Sequence, residues 1–251
     1  MRVNGLTKKA IHLLSAVVFL LLSWQVLSFI LDTPVFPPPF AAFTSLFHSM
    51  NSDLMIHLKV SFYRIAVSLI IATIVGVPMG LWIGKNKRVD AISAPLIYLT
   101  YPVPKIVFLP VFLILMGIGN VSKIVMITLI VFYQILVTTR DAAKNLQKEY
   151  ILSVRSLRAN ERDLYFHVYF PACLPAILTS LRLGLGTAMA VLFLVETYAT
   201  REGIGFYIMD SWSSLAYEQM FAGIIAMGLM GFLIYLLLDA CEKILCSWVN
   251  P

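Results

Sequence analysis

The chain has 251 residues, of which 60% are hydrophobic and 13% charged. Ordinary soluble domains carry roughly 45–50% apolar and about 25% charged residues. A soluble enzyme, a disordered chain and a disulfide scaffold are therefore excluded, and the composition indicates an integral membrane protein. Lys and Arg (19) exceed Asp and Glu (13). In a membrane protein that excess encodes orientation, so no nucleic-acid partner is expected.

A bilayer core takes about 20 mostly apolar residues per helix. Six segments qualify, at residues 10–31, 60–83, 91–116, 121–139, 176–200 and 219–241. The first is not read as a cleaved leader, because its apolar run outlasts a signal peptide's and Trp24-Gln25-Val26 is no small-residue cleavage site. With both ends inside, fourteen of the 19 Lys and Arg lie on the inner face, among them Arg2, Lys8 and Lys9. Lys59, Arg64, Lys123 and Arg201 lie outside, and Lys105 within the third span. This predicts an all-α integral membrane bundle, N-in and C-in, in one domain over 1–251.

The outer segment after the first span opens with Pro37-Pro38-Pro39, and its 40–58 part suits a short interfacial helix. The outer segment at 200–218, with Gly203, Gly205, Trp212 and Tyr217, suits a loop with interfacial aromatics. The inner segment at 140–175 is too long to be a plain connection. Tyr150, Ile151, Val154 and Leu157 recur at helical spacing over 149–157. Asn160 then reads as the N-cap of a helix over 161–170, with Pro171 and Pro175 marking the return to the membrane. The element suits either a solvated amphipathic loop or a docking helix for another protein.

Ionisable groups inside spans suggest function. Arg64 and Arg182, near span ends, are expected to snorkel. Lys105, between Pro104 and Pro110, can face a translocation path and an anion, pair with Glu196, or reach an interface. Gly76, Gly80 and Gly84 form G-x-x-x-G-x-x-x-G, a close-packing pattern. The stretch 80–86 departs from a phosphate-binding loop in its spacing and in lacking Ser or Thr after Lys85. The chain is thus not expected to hydrolyse ATP. Its scattered histidines and three cysteines suggest no metal site.

The run at 150–188 resembles the EAA loop and fifth helix of ABC importer permeases. The similarity rests on Arg155-Ser156-Leu157, Phe170-Pro171-Ala172, Leu174-Pro175 and Leu181-Arg182. Residues 102–124 and 196–208 resemble the nitrate/sulfonate/taurine/bicarbonate branch. Two departures stand out. The family's glutamate position holds Leu152, with Ser153 and Val154 for its alanines, and the family's glycine position holds Arg158. A glycine there permits φ > 0 at a helix end, which an arginine adopts only with strain, so either the turn differs here or Arg158 forms a new contact.

The resemblance implies a six-helix, MetI-like type I importer permease of the bacterial inner membrane, working as a homodimer. It implies a cytoplasmic ABC ATPase that binds ATP, an extracytoplasmic solute-binding protein reaching 33–59 and 199–219, and no cofactor in this chain. Ile151, Leu152, Val154, Arg155, Ser156, Leu157, Arg158 and Ala159 would form the ATPase-docking loop, with Leu157, Val154 and Ile151 as its apolar face. Lys105, Glu196 and Arg182 would serve translocation or gating. The cargo would be a small anion such as a sulfonate, nitrate, taurine or bicarbonate, or alternatively a thiamine-precursor pyrimidine. An ATP-independent carrier would instead call for inverted repeats, and an intramembrane enzyme for clustered catalytic groups. Neither feature is visible.

Overall fold

A computed structural model describes residues 3–50, 53–198 and 200–248, with side chains from residue 11 onward except Leu13. Arg2 and Ala199, and the side chains of Lys8 and Lys9, lie outside the described residues. Eleven α-helices follow one another, with no strand among the described residues: α1 (Val3–Leu31), α2 (Pro39–Met50), α3 (Asp53–Lys85), α4 (Lys87–Thr100), α5 (Leu109–Met116), α6 (Asn120–Lys144), α7 (Lys148–Ser156), α8 (Glu161–Leu164), α9 (Phe170–Thr197), α10 (Ile204–Ser213) and α11 (Tyr217–Leu245). A 3₁₀ turn at Lys105–Phe108 leads into α5, and a π turn at Tyr165–Tyr169 joins α8 to α9.

Among the described residues, five helices are long and apolar enough to cross a membrane, and a bent pair makes a sixth if it counts as one span. The spacing had suggested one helix over 91–116. The structure instead breaks it into Lys87–Thr100 and Lys105–Met116, bent by 78°. Pro102 and Pro104 sit in the break, where missing N–H groups and ring clashes stop an α-helix from continuing. The second span begins at Asp53 rather than 60. Its first turn carries Asp53 and its last Lys85, the charges that complement a helix dipole.

Pro171 does not break the chain's return to the membrane. Residues Glu161–Thr197 form one helical run. The π turn ends two residues before Pro171, and the Phe170 N–H donates to the Tyr165 carbonyl. A turn widened in this way accommodates a proline that lacks its own N–H.

The core lies where α3, α6 and α9 meet, around Ile65, Leu69, Leu81, Met126, Ile127, Ile135, Leu181 and Leu192. Gly76, Gly80 and Gly84 face α6, as their spacing predicts. A Cβ on Gly80 would stand 2.7 Å from Thr139 Cβ, and one on Gly84 2.8 Å from Ala143 Cβ. The glycines thus let the two backbones close on each other.

The outer segments differ from expectation. The interfacial helix is only α2, with Ala42 and Leu46 buried and Phe40 and Phe47 exposed. Residues from Asp53 on belong to α3. The expected loop at 200–218 contains α10, whose buried Ile204 and Ile208 join Leu46, Leu54, Ala222 and Ala226 in a second apolar cluster. Helix α1 stands apart: only 6% of its apolar window is buried. It is held at its outer end by Trp24 donating to the Pro37 carbonyl (3.0 Å) and stacking near Phe221.

Candidate functional site

Three groups of residues carry the chemistry, at the inner face, mid-span and the outer face. At the inner face, α7 covers most of the predicted 149–157 helix. Asn160 caps α8 as expected: its side chain accepts from the Arg162 and Asp163 N–H groups, and Asp163 accepts from the Asn160 N–H at 3.0 Å. This reciprocal box fixes the turn between the two helices.

Arg158 resolves the question its position raised. It adopts φ 58, so the left-handed turn that a glycine would make is kept by an arginine. No new side-chain contact compensates among the described residues.

The docking-loop residues are divided by this geometry. Ile151 and Val154 are half-buried and pack against the main core, so they do not form an outward apolar face in this structure. Leu152 and Leu157 are exposed, Leu157 at 80%, with Tyr150 beside them. Arg155, Ser156 and Arg158 are exposed as well, and Ala159 is half-buried. The helical period holds, but a short amphipathic helix has two faces, and the bundle takes the one carrying Ile151 and Val154.

At mid-span, Lys105 stands at the break between α4 and α5. Its ammonium donates to the carbonyls of Thr100 (3.2 Å), Tyr101 (3.1 Å) and Val103 (3.3 Å), and lies 4.2 Å from the centre of the Tyr133 ring. It thereby caps the carbonyl end of α4. It makes no ion pair among the described residues, and Glu196 is not its partner. A cavity of about 430 Å³ opens beside it, lined also by Ile130, Gln134, Thr187 and Val191.

At the outer face, Arg64 and Glu196 form a buried ion pair (2.7 Å), 2% and 0% exposed. The expectation that Arg64 snorkels is corrected. Arg64 also donates to Asn120 Oδ1 and to the Glu202 carbonyl, both at 2.9 Å. The Glu196 carboxylate accepts from Ser61 (2.8 Å) and from the Gly205 N–H (2.9 Å). Ser61 in turn accepts from the Ile204 N–H at 2.7 Å. Gly203, at φ 116, presses so close to Glu196 that a Cβ would strike the carboxylate. The network fastens the start of α10 to α3, α6 and α9. Both of its charges make hydrogen bonds beyond the ion pair itself, the condition under which a buried pair persists.

Arg182, at the inner end, is partly exposed. It pairs with Asp239 (3.2 Å) and Glu242 (2.5 Å) of α11. A further tie was missed: Asp90 of α4 accepts from Arg140 (2.5 Å) and Lys144 (2.8 Å) of α6. A lone Asp in the basic 85–90 stretch was the available signal. The sequence pattern places Arg140 in the inner loop, yet α6 continues through Lys144 and buries it.

A family model described as "Binding-protein-dependent transport system inner membrane component" matches residues 76–250. The chain is 34% identical over 238 residues to the taurine transport system permease protein TauC of Escherichia coli (strain K12), covering 92% of this chain and 86% of that relative. It is 28% identical over 201 residues to the nitrate import permease protein NrtB of Synechocystis sp. (strain ATCC 27184 / PCC 6803 / Kazusa), covering 80% and 72%. Its fold is similar to a chain of the inward-facing MetNI methionine ABC transporter, with a TM-score of 0.66 and 17% identity, over 76% of this chain and 96% of that one. Permeases of this kind are non-catalytic, multi-pass membrane subunits without a cofactor; ATP binds a partner ATPase, and a binding protein is the other partner. With the matched model spanning well over half of its length, the chain belongs to the binding-protein-dependent inner membrane components, the permease subunits of ABC importers.

Proposed function

We propose that this permease works as a homodimer and imports a small anion, an organic sulfonate first among the candidates. The observation that supports the anionic reading is Lys105. Its charge stands beside the mid-span cavity with no carboxylate against it among the described residues. A cation left unneutralised within a span attracts an anion more strongly than in water. The Gln134 amide and Thr187 hydroxyl on the same cavity supply hydrogen-bonding groups for it. The relatives named for taurine and for nitrate support the same class.

The cycle is alternating access. ATP favours one arrangement of two permease bundles, and the cargo reaches the cavity from whichever side is open. The ATPase would dock on the exposed Leu152 and Leu157, with Arg155, Ser156 and Arg158 at the rim and Ala159 at the turn. Ile151 and Val154 would tie that element to the bundle. Glu196 and Arg182 would act as the fastenings on which the outer and inner ends turn.

Thermal shifts of the cognate binding protein with taurine, alkanesulfonates, nitrate, bicarbonate and a pyrimidine precursor of thiamine test the cargo class. A shift with the pyrimidine alone overturns the anionic reading. In proteoliposomes, Lys105→Met lowers uptake of the identified anion by about an order of magnitude, the factor that ~1.4 kcal/mol gives, while Lys105→Arg retains most of it. Unchanged uptake in Lys105→Met sinks the role of that charge. Loss of ATPase co-purification in Leu157→Asp is expected, and unchanged assembly refutes the docking assignment.

A further inference from the structure

The helical run from Glu161 to Thr197 carries a glutamate at each end, and both reach α3. Glu196 meets Arg64 near the start of α3. Glu161 meets Lys85, the last residue of α3, at 2.6 Å. The other oxygen of Glu161 accepts from Arg155 of α7 at 2.9 Å. One carboxylate thus joins a basic residue of the docking element to the basic residue that ends a membrane span. Its place is set by the backbone, because the reciprocal cap between Asn160 and Asp163 fixes Glu161 as the first residue of its helix. Lys85 is steadied in turn by the Tyr169 ring, 5.6 Å away.

Above Lys85, α3 is clamped to α6 through Gly76, Gly80 and Gly84, which add no side chain of their own against Ile135, Thr139 and Ala143. A displacement of Lys85 therefore carries two spans and not one, since packed interfaces move as units. Among the described residues, α7 otherwise meets the core through Ile151 and Val154. Those contacts are apolar and can slide, whereas the Arg155–Glu161–Lys85 bridge is directional.

We infer that Glu161 is the positioning residue through which movement of the ATPase-docking element is passed to α3 and α6. The inference rests on reading α7 as that element. The test is hydrogen–deuterium exchange of the assembled permease–ATPase complex, with and without ATP and vanadate. In the wild type, exchange changes both over 148–158 and at the inner ends of α3 and α6. In Glu161→Gln the complex still co-purifies and the change over 148–158 persists. The change at the inner ends of α3 and α6 shrinks about two- to fivefold, the range an exposed ion pair spans. Glu161→Asp, which keeps the carboxylate, restores most of it.

Wild-type changes in α3 and α6 that survive in Glu161→Gln overturn the inference, and so does their absence from the wild type. Loss of assembly in Glu161→Gln overturns it too, because Glu161 is then a docking contact. Intact assembly in Leu157→Asp instead overturns the docking reading, so the two failures are told apart.

Discussion

At its outer end α9 is fastened to α3 by a carboxylate that meets no solvent, and at its inner end the same helical run is fastened by one that does. Glu196 is 0% exposed and its partner Arg64 2%; Glu161 is 65% exposed and Lys85 18%. Both ties are a glutamate on a cation at 2.6–2.7 Å. Their media make them different devices. A buried pair, once made, is costly to break because each lone charge would be stranded. An exposed pair exchanges with water at little cost. The outer tie thus suits a fixed pivot. The inner tie suits a joint that engages and releases with the ATPase.

That contrast is open to test by a graded set of substitutions. The largest effect is expected at the pivot. Arg64→Leu leaves Glu196 buried without its cation and should destabilise the fold by about 3–5 kcal/mol, read as a fall in detergent-solubilised thermal midpoint. Adding Glu196→Leu to that variant should recover part of the loss; no recovery would mean the pair is not what holds the outer end. Next comes the clamp that links the inner tie to α6. Gly80→Val must push against Thr139 and the Leu136 carbonyl, costing about 1–3 kcal/mol. Gly186→Ala, with open space around it, should leave the midpoint unchanged.

Smaller still is the cap that aims Glu161. Asn160→Ala should cost about 1 kcal/mol, together with faster hydrogen exchange over 161–165. The smallest effect belongs to the joint itself. Lys85→Gln should shift stability by less than about 1 kcal/mol and should lose even that at ~1 M salt, where screening reaches ~3 Å. The Arg64→Leu penalty should not respond to salt. Equal salt sensitivity at both sites would erase the distinction between pivot and joint.

The long apolar segments and the position of the inner loop were legible because they depend on local composition. An apolar run must be about as long as the bilayer is thick, and a capped amphipathic stretch announces a helix wherever it lies. The position of Asn160 and the close packing through Gly76, Gly80 and Gly84 belong to this class. The turn at Arg158 was not legible: an arginine in the family's glycine position pointed to a different turn or a new contact, and the backbone keeps the left-handed turn instead.

Pairings across the chain were not legible. Arg64 and Glu196 lie 132 positions apart, and Arg64's nearness to a span end suggested an escape to solvent. Nothing local tells which side of a helix its neighbours will cover. The same ignorance of faces put Ile151 and Val154 on the docking surface and offered Glu196 to Lys105 as a partner. Composition and spacing by themselves determined a membrane bundle, its long apolar segments and the location of its inner loop, since these follow from the free energy of each segment in water or lipid. Only the tertiary structure decided which charges neutralise one another, where the third span bends and which side of α7 stays free. Those outcomes depend on distances between helices, and a linear chain does not contain them until it packs.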